Sequence, residues 1–548
     1  IKRVFLFLST EFSVLAHRIL ILSPIASYSH ANFIKPVVKG LVERGHFVTY
    51  WNGLLSENQA TDFLNQTTNL RLLYSPEVHA ISSGNIIDFS VRKKPNNFIF
   101  GLPKRMEKYC ETIYRDPVFH QLMDSQEKYD LIILEAALNE CSLPLVYKFD
   151  LPFIYIMGSM PLPWHLEAIG SPLAFDHYPQ ISSNYADEMN FWQRTYNTLS
   201  GIVAIYYWRW MVMPVIDRLA AEMLQIENLP TIEEIEKHYL NLLILNTNMG
   251  LNYQMATTPV VIQAGGINLG PAKPLPHDLE KFVSDSGDAG CIIVSFGSLL
   301  RNSDIPDDVR HIFLSTFARL PQRILWKWED ESKIRHGESI PPNVKLMSWL
   351  PQADLLGHPK MRLFITHGGV NSIQEAVYHN IPLIVLPVFI DQPINAQKAQ
   401  DDGYAIRLDW DNLTEEILFN AIEQILTNSS YAEKMEKVSE LIRDQMETPL
   451  DRVIYWIEYI IRHKGAPHLR TASRKLSLHQ RFLFDVMLFV FLVGILMFSV
   501  LTRVLRRQLQ RYNSEVRSKK EELIIELNRK MCFVYTDTTS STMTWCTS

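Results

Sequence analysis

Short apolar runs alternate with polar turns and amphipathic stretches along most of the chain. The first run, 18–22, is followed by the turn Ser23-Pro24-Ile25-Ala26-Ser27-Tyr28-Ser29. Beyond it Phe33, Val37, Val38, Leu41 and Val42 recur at helical spacing as far as Gly45, a residue suited to a left-handed helix end. Pro36 must then lie near the first turn of that helix or kink it. The run 47–51 is the next strand, so this stretch predicts a βαβ unit and a parallel sheet. Runs 129–134 and 152–157 read as later strands of that sheet. A second and cleaner series places strands at 291–296, 323–328, 344–347, 362–366, 382–386 and 405–408, with helical segments between them.

Two such series predict an α/β protein of two Rossmann-like domains, with a ligand in the cleft at the carboxyl ends of the strands. The first domain is expected at 17–264, a glycine-rich linker at 265–287 and the second domain at 288–448. The segment 449–481 carries an amphipathic helix (Val453, Trp456, Ile457, Ile460, Ile461) and leads to the apolar run 482–502. That run holds one charge, Asp485, and as a helix it is long enough to cross the ~30 Å hydrocarbon layer of a bilayer. Among its flanks, Arg474, Lys475 and Arg481 balance Arg503, Arg506, Arg507 and Arg511, so basic residues do not orient it. Segment 1–16, with Lys2 and Arg3 before an apolar stretch, reads as a secretory signal remnant. A tail before the first strand is the competing reading. The signal reading puts the body in the lumen and the tail, 503–548, in the cytosol. The sequons at Asn65, Asn412 and Asn428 are compatible with that topology.

Composition narrows the classes. The chain has 548 residues, 47% hydrophobic and 20% charged, which is globular rather than disordered. A net charge of −6 argues against nucleic acid as a partner. Five cysteines make no disulfide scaffold and no CxxC zinc motif. Spacing does not decide whether Cys110, Cys141 and Cys291 include one bridge. No GxGxxG follows either first strand, which disfavours a nicotinamide oxidoreductase.

Candidate chemistry concentrates between Trp349 and Gln392. A strand ends at Ile365-Thr366, His367-Gly368-Gly369 forms the turn, and a helix is expected from about Val370 to Tyr378. Glycines there let a pyrophosphate approach backbone N–H groups at a helix N-terminus. Asn371 and Ser372 add side-chain donors, and Glu375 one turn on can accept from ribose hydroxyls. Trp349 offers a face to a base, the Gln352 amide can read a uracil edge, and Asp391-Gln392 follows a strand where sugar hydroxyls would lie. Each feature alone has a bland explanation as turn, core or solvated loop. Their order within one window is the signal.

The stretch from WLPQ (Trp349 to Gln352) through FITHGGVNSIQEAVYHNIPLIVLPVFIDQPINAQK closely resembles the UDP-glycosyltransferase signature, in its membrane-bound UDP-glucuronosyltransferase branch. GGINLGPAKPLPHDLEKFV, the FGS at Ser298 and PLDRVIYWIEYIIRHKGAPHLR extend the likeness over nearly the whole chain. The resemblance implies a GT-B fold with one C-terminal transmembrane helix, an endoplasmic-reticulum body facing the lumen, and inverting transfer with neither metal nor organic cofactor. The implied partners are UDP-glucuronate or UDP-glucose, a small lipophilic alcohol or phenol, and the membrane; a homo-oligomer stays open. By the same resemblance Trp349 stacks on uracil, Gln352 bonds its edge and Glu375 takes the ribose. Ser298, His367, Gly369, Asn371 and Ser372 hold the diphosphate, and Asp391 and Gln392 hold the sugar. His30 matches the catalytic histidine. Glu135 stands where the branch has the aspartate that orients it, one methylene longer. The loop 158–178, rich in Pro, Trp and His, is the expected wall of an apolar acceptor pocket. A catalytically idle lipophile-binding protein of the same fold, and a sugar-nucleotide epimerase, are the alternatives.

Overall fold

The computed structural model describes residues 16–55, 68–83, 99–181, 183–298, 300–330 and 339–536. The signal-like stretch before Ala16 and the sequon at Asn65 lie outside the described residues. Seven strands form the first sheet: β1 (Arg18–Ser23), β2 (Phe47–Asn52), β3 (Leu70–Leu73), β4 (Leu131–Glu135), β5 (Phe153–Met157), β6 (Leu240–Leu245) and β7 (Val261–Gln263). Their order is β3-β2-β1-β4-β5-β6-β7, every pairing parallel. The six-stranded second sheet comprises β8 (Cys291–Ser295), β9 (Arg323–Lys327), β10 (Val344–Met347), β11 (Met361–Thr366), β12 (Leu383–Val385) and β13 (Ala405–Arg407). It runs β10-β9-β8-β11-β12-β13, again parallel throughout. Most central strands are apolar on both faces and buried along their length, as sheets covered by helices on both sides require.

Helix α1 (Tyr28–Glu43) starts where the Ser27 side chain accepts from the His30 backbone N–H. The expected turn is therefore two residues shorter than its sequence suggests, because Tyr28 and Ser29 already belong to the helix. Pro36 lies in the helix interior rather than its first turn. Helix α2 (His277–Ser284) falls inside the glycine-rich segment and buries Leu279 and Val283 in the core of the second domain.

The amphipathic helix α5 (Pro449–Arg462) returns to the first domain, burying Val453, Ile454, Ile457 and Ile460 with the residues around β1. Its crossing with α1 is close. A Cβ on Gly40 would stand 3.2 Å from Leu450 and 3.3 Å from Ile454. The chain thus begins and ends its globular part in the same domain.

From Lys475 onward a separate unit begins. Its main element is α6 (Phe484–Thr536), a continuous 53-residue helix. It is long and apolar enough to cross a membrane, and none of its most apolar window is buried. The helical segment Phe191–Leu224 also passes on length and composition, so a single candidate span is not what the structure holds. That segment sinks Trp208, Val212 and Ile216 into the first core.

Candidate active site

One cavity of about 400 Å³ opens between the two sheets at their carboxyl ends. It is lined by His30 from one side and by Ser298, Trp349, Gln352, His367, Gly369, Asn371, Ser372, Glu375, Asp391 and Gln392 from the other. Every donor-side residue singled out in the sequence reaches it. Glu135 does not line the cavity but stands behind His30.

His30 lies in the first turn of α1, not in the loop before it. Its Nδ1 is 2.6 Å from Glu135 Oε1, so Nε2 is the ring nitrogen left for a ligand. Glu135 ends β4 and is 1% exposed. Its other oxygen accepts from the Ala137 backbone N–H at 3.1 Å and from Asn139 Nδ2 at 2.6 Å. Asn139 in turn clamps both backbone groups of Ile25, at 2.8 Å each, and ties the loop after β4 to the loop after β1. A Cβ on Gly158 would come within 2.8 Å of the imidazole, so only glycine leaves the ring its place. Burial pushes the His30 pKa down, but the charge and hydrogen bond of Glu135 outweigh it, and the net shift is upward.

Across the cavity, Gly369 precedes helix α3 (Val370–Tyr378) and supplies no side-chain cap; the Asp391 carboxylate accepts from the Val370 N–H, as an anion does at a helix N-terminus. The span of α3 matches the expected one. His367 is wedged where a Cβ on Gly297 or Gly369 would stand 2.7 or 2.6 Å from its ring. Desolvation, and then the nearby Lys327, push its pKa down to about 4. At neutral pH it is an uncharged N–H donor.

Gln352 Nε2 donates to Glu375 Oε2 at 2.7 Å and to Ser372 Oγ at 3.2 Å. Desolvation raises the Glu375 pKa to about 7, opposed by the Gln352 bond and helped by Asp354. Trp349 is 61% exposed, with Lys327 Nζ 5.6 Å from its ring centroid.

The loop before helix α4 (Gln392–Asp401) is tightly held. Gln392 Oε1 accepts from Val388 and Phe389 N–H at 2.9 and 3.1 Å, leaving its amide NH₂ for a ligand. Asp391 accepts from Asn395 at 2.9 Å, and desolvation raises its pKa. Just before them Ile390 has φ +56°, a costly conformation for a β-branched residue.

Asn371 is engaged across the cleft: its Nδ2 donates to the Ser29 carbonyl at 2.9 Å, and its Oδ1 accepts from Asn246 at 2.7 Å.

Three contributors were not read from the sequence. Lys327 donates to the Gly297 carbonyl and pairs with Glu329, both at 2.8 Å; its place at the carboxyl end of a strand was the available signal. Asn246 carried none, since its partner Asn371 is distant in the chain; Asn139 lies four residues after Glu135, but its clamp on Ile25 joins segments far apart in sequence.

The loop 158–178 is a correction. Trp164 stacks on Trp208 at 4.6 Å, and His165 and Tyr178 are buried. Only Gly158, Ser159 and Leu162 of that stretch line the cavity, because the short helix Pro163–Ile169 turns its aromatics into the core.

Two Rossmann-like domains facing one cavity, with a helix N-terminus lacking its own side-chain cap on one side and a histidine–carboxylate pair on the other, define a GT-B glycosyltransferase. The calicheamicin glycosyltransferase CalG4 shares the fold at TM-score 0.54 and 15% identity, over 81% of this chain and 98% of that one. So does the glycosyltransferase VinC, solved with DTDP, at TM-score 0.53 and 14% identity, over 81% and 100%. More particularly, the chain belongs to the family described as UDP-glucoronosyl and UDP-glucosyl transferase, whose profile matches residues 19–521. UDP-glucosyltransferase 2 of Dactylopius coccus is 31% identical over 92% of this chain and 95% of its own length. Human 2-hydroxyacylsphingosine 1-beta-galactosyltransferase is 30% identical over 87% and 86%, and human UDP-glucuronosyltransferase 2B7 is 30% identical over 85% and 88%. The chain is a glycosyltransferase, and its family implies a UDP-sugar donor.

Proposed function

We propose that the protein is an inverting transferase that moves a glucosyl or glucuronosyl group from its UDP-sugar to a hydroxyl of a small lipophilic alcohol or phenol, with His30 as general base. The observation that carries this is the 2.6 Å His30–Glu135 pair facing the donor groups across one cavity. A hydroxyl is a poor nucleophile at neutral pH. His30 Nε2 takes its proton as the acceptor oxygen bonds to C1 of the sugar, and the C1–O bond to the diphosphate breaks with its electron pair going to UDP. Glu135 fixes the tautomer and stabilises the imidazolium, while Asn139 and Ala137 hold Glu135.

Trp349 stacks on the uracil, Gln352 bonds its edge and Glu375 takes the ribose. The diphosphate meets Ser298, His367, Gly369, Ser372 and the N-terminus of α3, with Asn371 at its edge. Asp391 and Gln392 take the sugar. The groups meeting the diphosphate are hydrogen-bond donors, and no metal or cofactor is assigned a part. Met157, Leu162, Phe389 and Ile390 line the cavity as well and suit a lipophilic acceptor.

The body is assigned to the lumen of the endoplasmic reticulum, anchored by α6. The Cys110–Cys141 disulfide, with Cys291 left free, fits an oxidising compartment. Asn412 and Asn428 are exposed, as glycosylated asparagines must be. Protease treatment of sealed microsomes is expected to clip the tail and spare the body; a digested body reverses the topology.

The activity is tested with purified full-length protein, a generic phenol, and UDP-glucose and UDP-glucuronate in parallel. Turnover with at least one donor is expected. His30→Ala should lose about 10²–10⁴-fold in kcat with UDP binding retained. UDP binding without turnover of either donor would leave an idle binding protein.

A further inference from the structure

Beyond α5 the chain turns at Gly465 (φ +90°) and Ala466 (φ +43°). The turn lies against Asn241 and Pro152, where a Cβ on Gly465 would stand 3.1 and 3.3 Å from them. Those residues mark the amino ends of β6 and β5, the side of the first sheet away from the cavity.

The residues that follow, 470–474, form a strap across that end. Arg470 Nη2 donates to Asn241 Oδ1 at 3.0 Å. Thr471 Oγ1 and Ser473 Oγ both donate to the Gly170 carbonyl, at 2.9 and 2.8 Å. Arg474 sets one guanidinium nitrogen on the Leu240 carbonyl at 2.8 Å and the other on the Lys237 carbonyl at 2.7 Å. Lys237 lies in the last turn of the helix Ile232–Tyr239, where a cation is favoured. Gly170 itself ends the short helix Pro163–Ile169 with φ +77°. A Cβ there would collide with Thr471 Oγ1 and stand 2.6 Å from Arg474 Cγ, so the strap seats only on a glycine.

The helix Pro163–Ile169 connects this strap to the site. It is buried along its whole length. Just before it, Gly158, Ser159 and Leu162 line the cavity, with Gly158 against the His30 ring. Just after it, Gly170 is held by the strap. Its length is only ~10 Å at 1.5 Å per residue, and a close-packed rod transmits a displacement rather than absorbing it. The strap's partners Gly170, Lys237, Leu240 and Asn241 all belong to the first domain, whereas the donor groups from Trp349 to Gln392 belong to the second. The globular unit ends at Arg474, the last residue of the strap.

We propose that the strap 470–474 holds the acceptor wall 158–162 in place, making Thr471, Ser473 and Arg474 positioning residues that set affinity for the acceptor and not for the UDP-sugar. This rests on the transferase reading above. The competing role is a clasp that stabilises the fold and nothing more.

The test uses the full chain with its better donor and a phenol. Arg474→Ala, and separately Thr471→Val combined with Ser473→Ala, should raise the acceptor KM at least fivefold while the UDP-sugar KM stays within twofold. Thr471→Ser keeps the hydroxyl and should keep wild-type values. Amide hydrogen exchange reads the wall without turnover. In the same variants the amides of 158–162 should exchange at least fivefold faster, with those of 370–378 unchanged. A fall in kcat with both KM values unchanged overturns the proposal and leaves the clasp. Wall exchange that stays at the wild-type rate overturns it too. A wild type that turns over no phenol refutes the transferase reading instead, and the exchange rates still decide whether the strap holds the wall.

Discussion

Glu135 is the residue whose length the structure makes decisive. Shortening it to aspartate, the residue of the related branch, withdraws the carboxylate by about 1.5 Å, one carbon–carbon bond. The contact with His30 then opens from 2.6 Å to beyond hydrogen-bond range, because β4 is buried between β1 and β5 and cannot follow. A charge-assisted hydrogen bond is worth about 1.5–3 kcal/mol, and Coulomb attraction at ~4 Å between charge centres about 4 kcal/mol at an effective dielectric of 20. Glu135→Asp should therefore lose roughly 10- to 10³-fold in kcat with little change in KM for the UDP-sugar. Glu135→Gln keeps a hydrogen bond but not the charge, and it adds a pH signature. Glu135 raises the His30 pKa above its ordinary 6.5, so wild-type activity falls as pH drops through that raised value. In the glutamine variant only the Asp391 charge still opposes burial, the acid limb moves to lower pH, and the deficit is larger at pH 8 than at pH 6. The pair's contribution to stability is fully present below about pH 6.5 and lost as pH rises through the raised value, so the melting-temperature gap between wild type and variant should close with increasing pH. Steady-state rates and melting curves on the same preparations measure both. Wild-type kcat in Glu135→Asp would sink the reasoning.

Three further outcomes are expected. Trp349→Ala should weaken UDP binding by about 1–3 kcal/mol, or ~5- to 150-fold by calorimetry, and unchanged affinity removes Trp349 from the base site. Because the Glu375 pKa is raised to about 7, UDP binding that needs the ionised carboxylate should tighten from pH 6 to pH 8 and release a proton. Calorimetry in buffers of different ionisation enthalpy reads this directly, and Glu375→Gln should abolish it. The same shift costs the unliganded fold stability as pH rises from 4.5 to about 7. Asn371→Ala removes the bonds to Ser29 and Asn246 and should lower kcat by ~5- to 150-fold, about 1–3 kcal/mol, while the melting temperature stays within a few degrees; an unchanged kcat would leave those bonds without a catalytic consequence.

The alternation of apolar runs and amphipathic stretches was enough to place β1, β2, β4, β5, the strands of the second sheet and α3 within a residue or two, because parallel strands buried on both faces must be continuously apolar; β3, β6 and β7 were not read. The donor window was legible for a related reason. Trp349, Gln352, His367, Gly369 and Glu375 lie close in sequence, on strand ends and one helix turn whose local geometry aims them together. What pairs residues across the chain was not legible. The clamp of Asn139 on Ile25, the bridge from Asn371 to Ser29, and the return of α5 to the first core each join segments separated by more than a hundred residues. The aromatics of 158–178 read as a pocket wall, yet packing against Trp208 turned them inward. Composition fixes how much apolar surface must be buried; only the folded chain decides which partner buries it, and that choice set the distance between His30 and the carboxylate behind it.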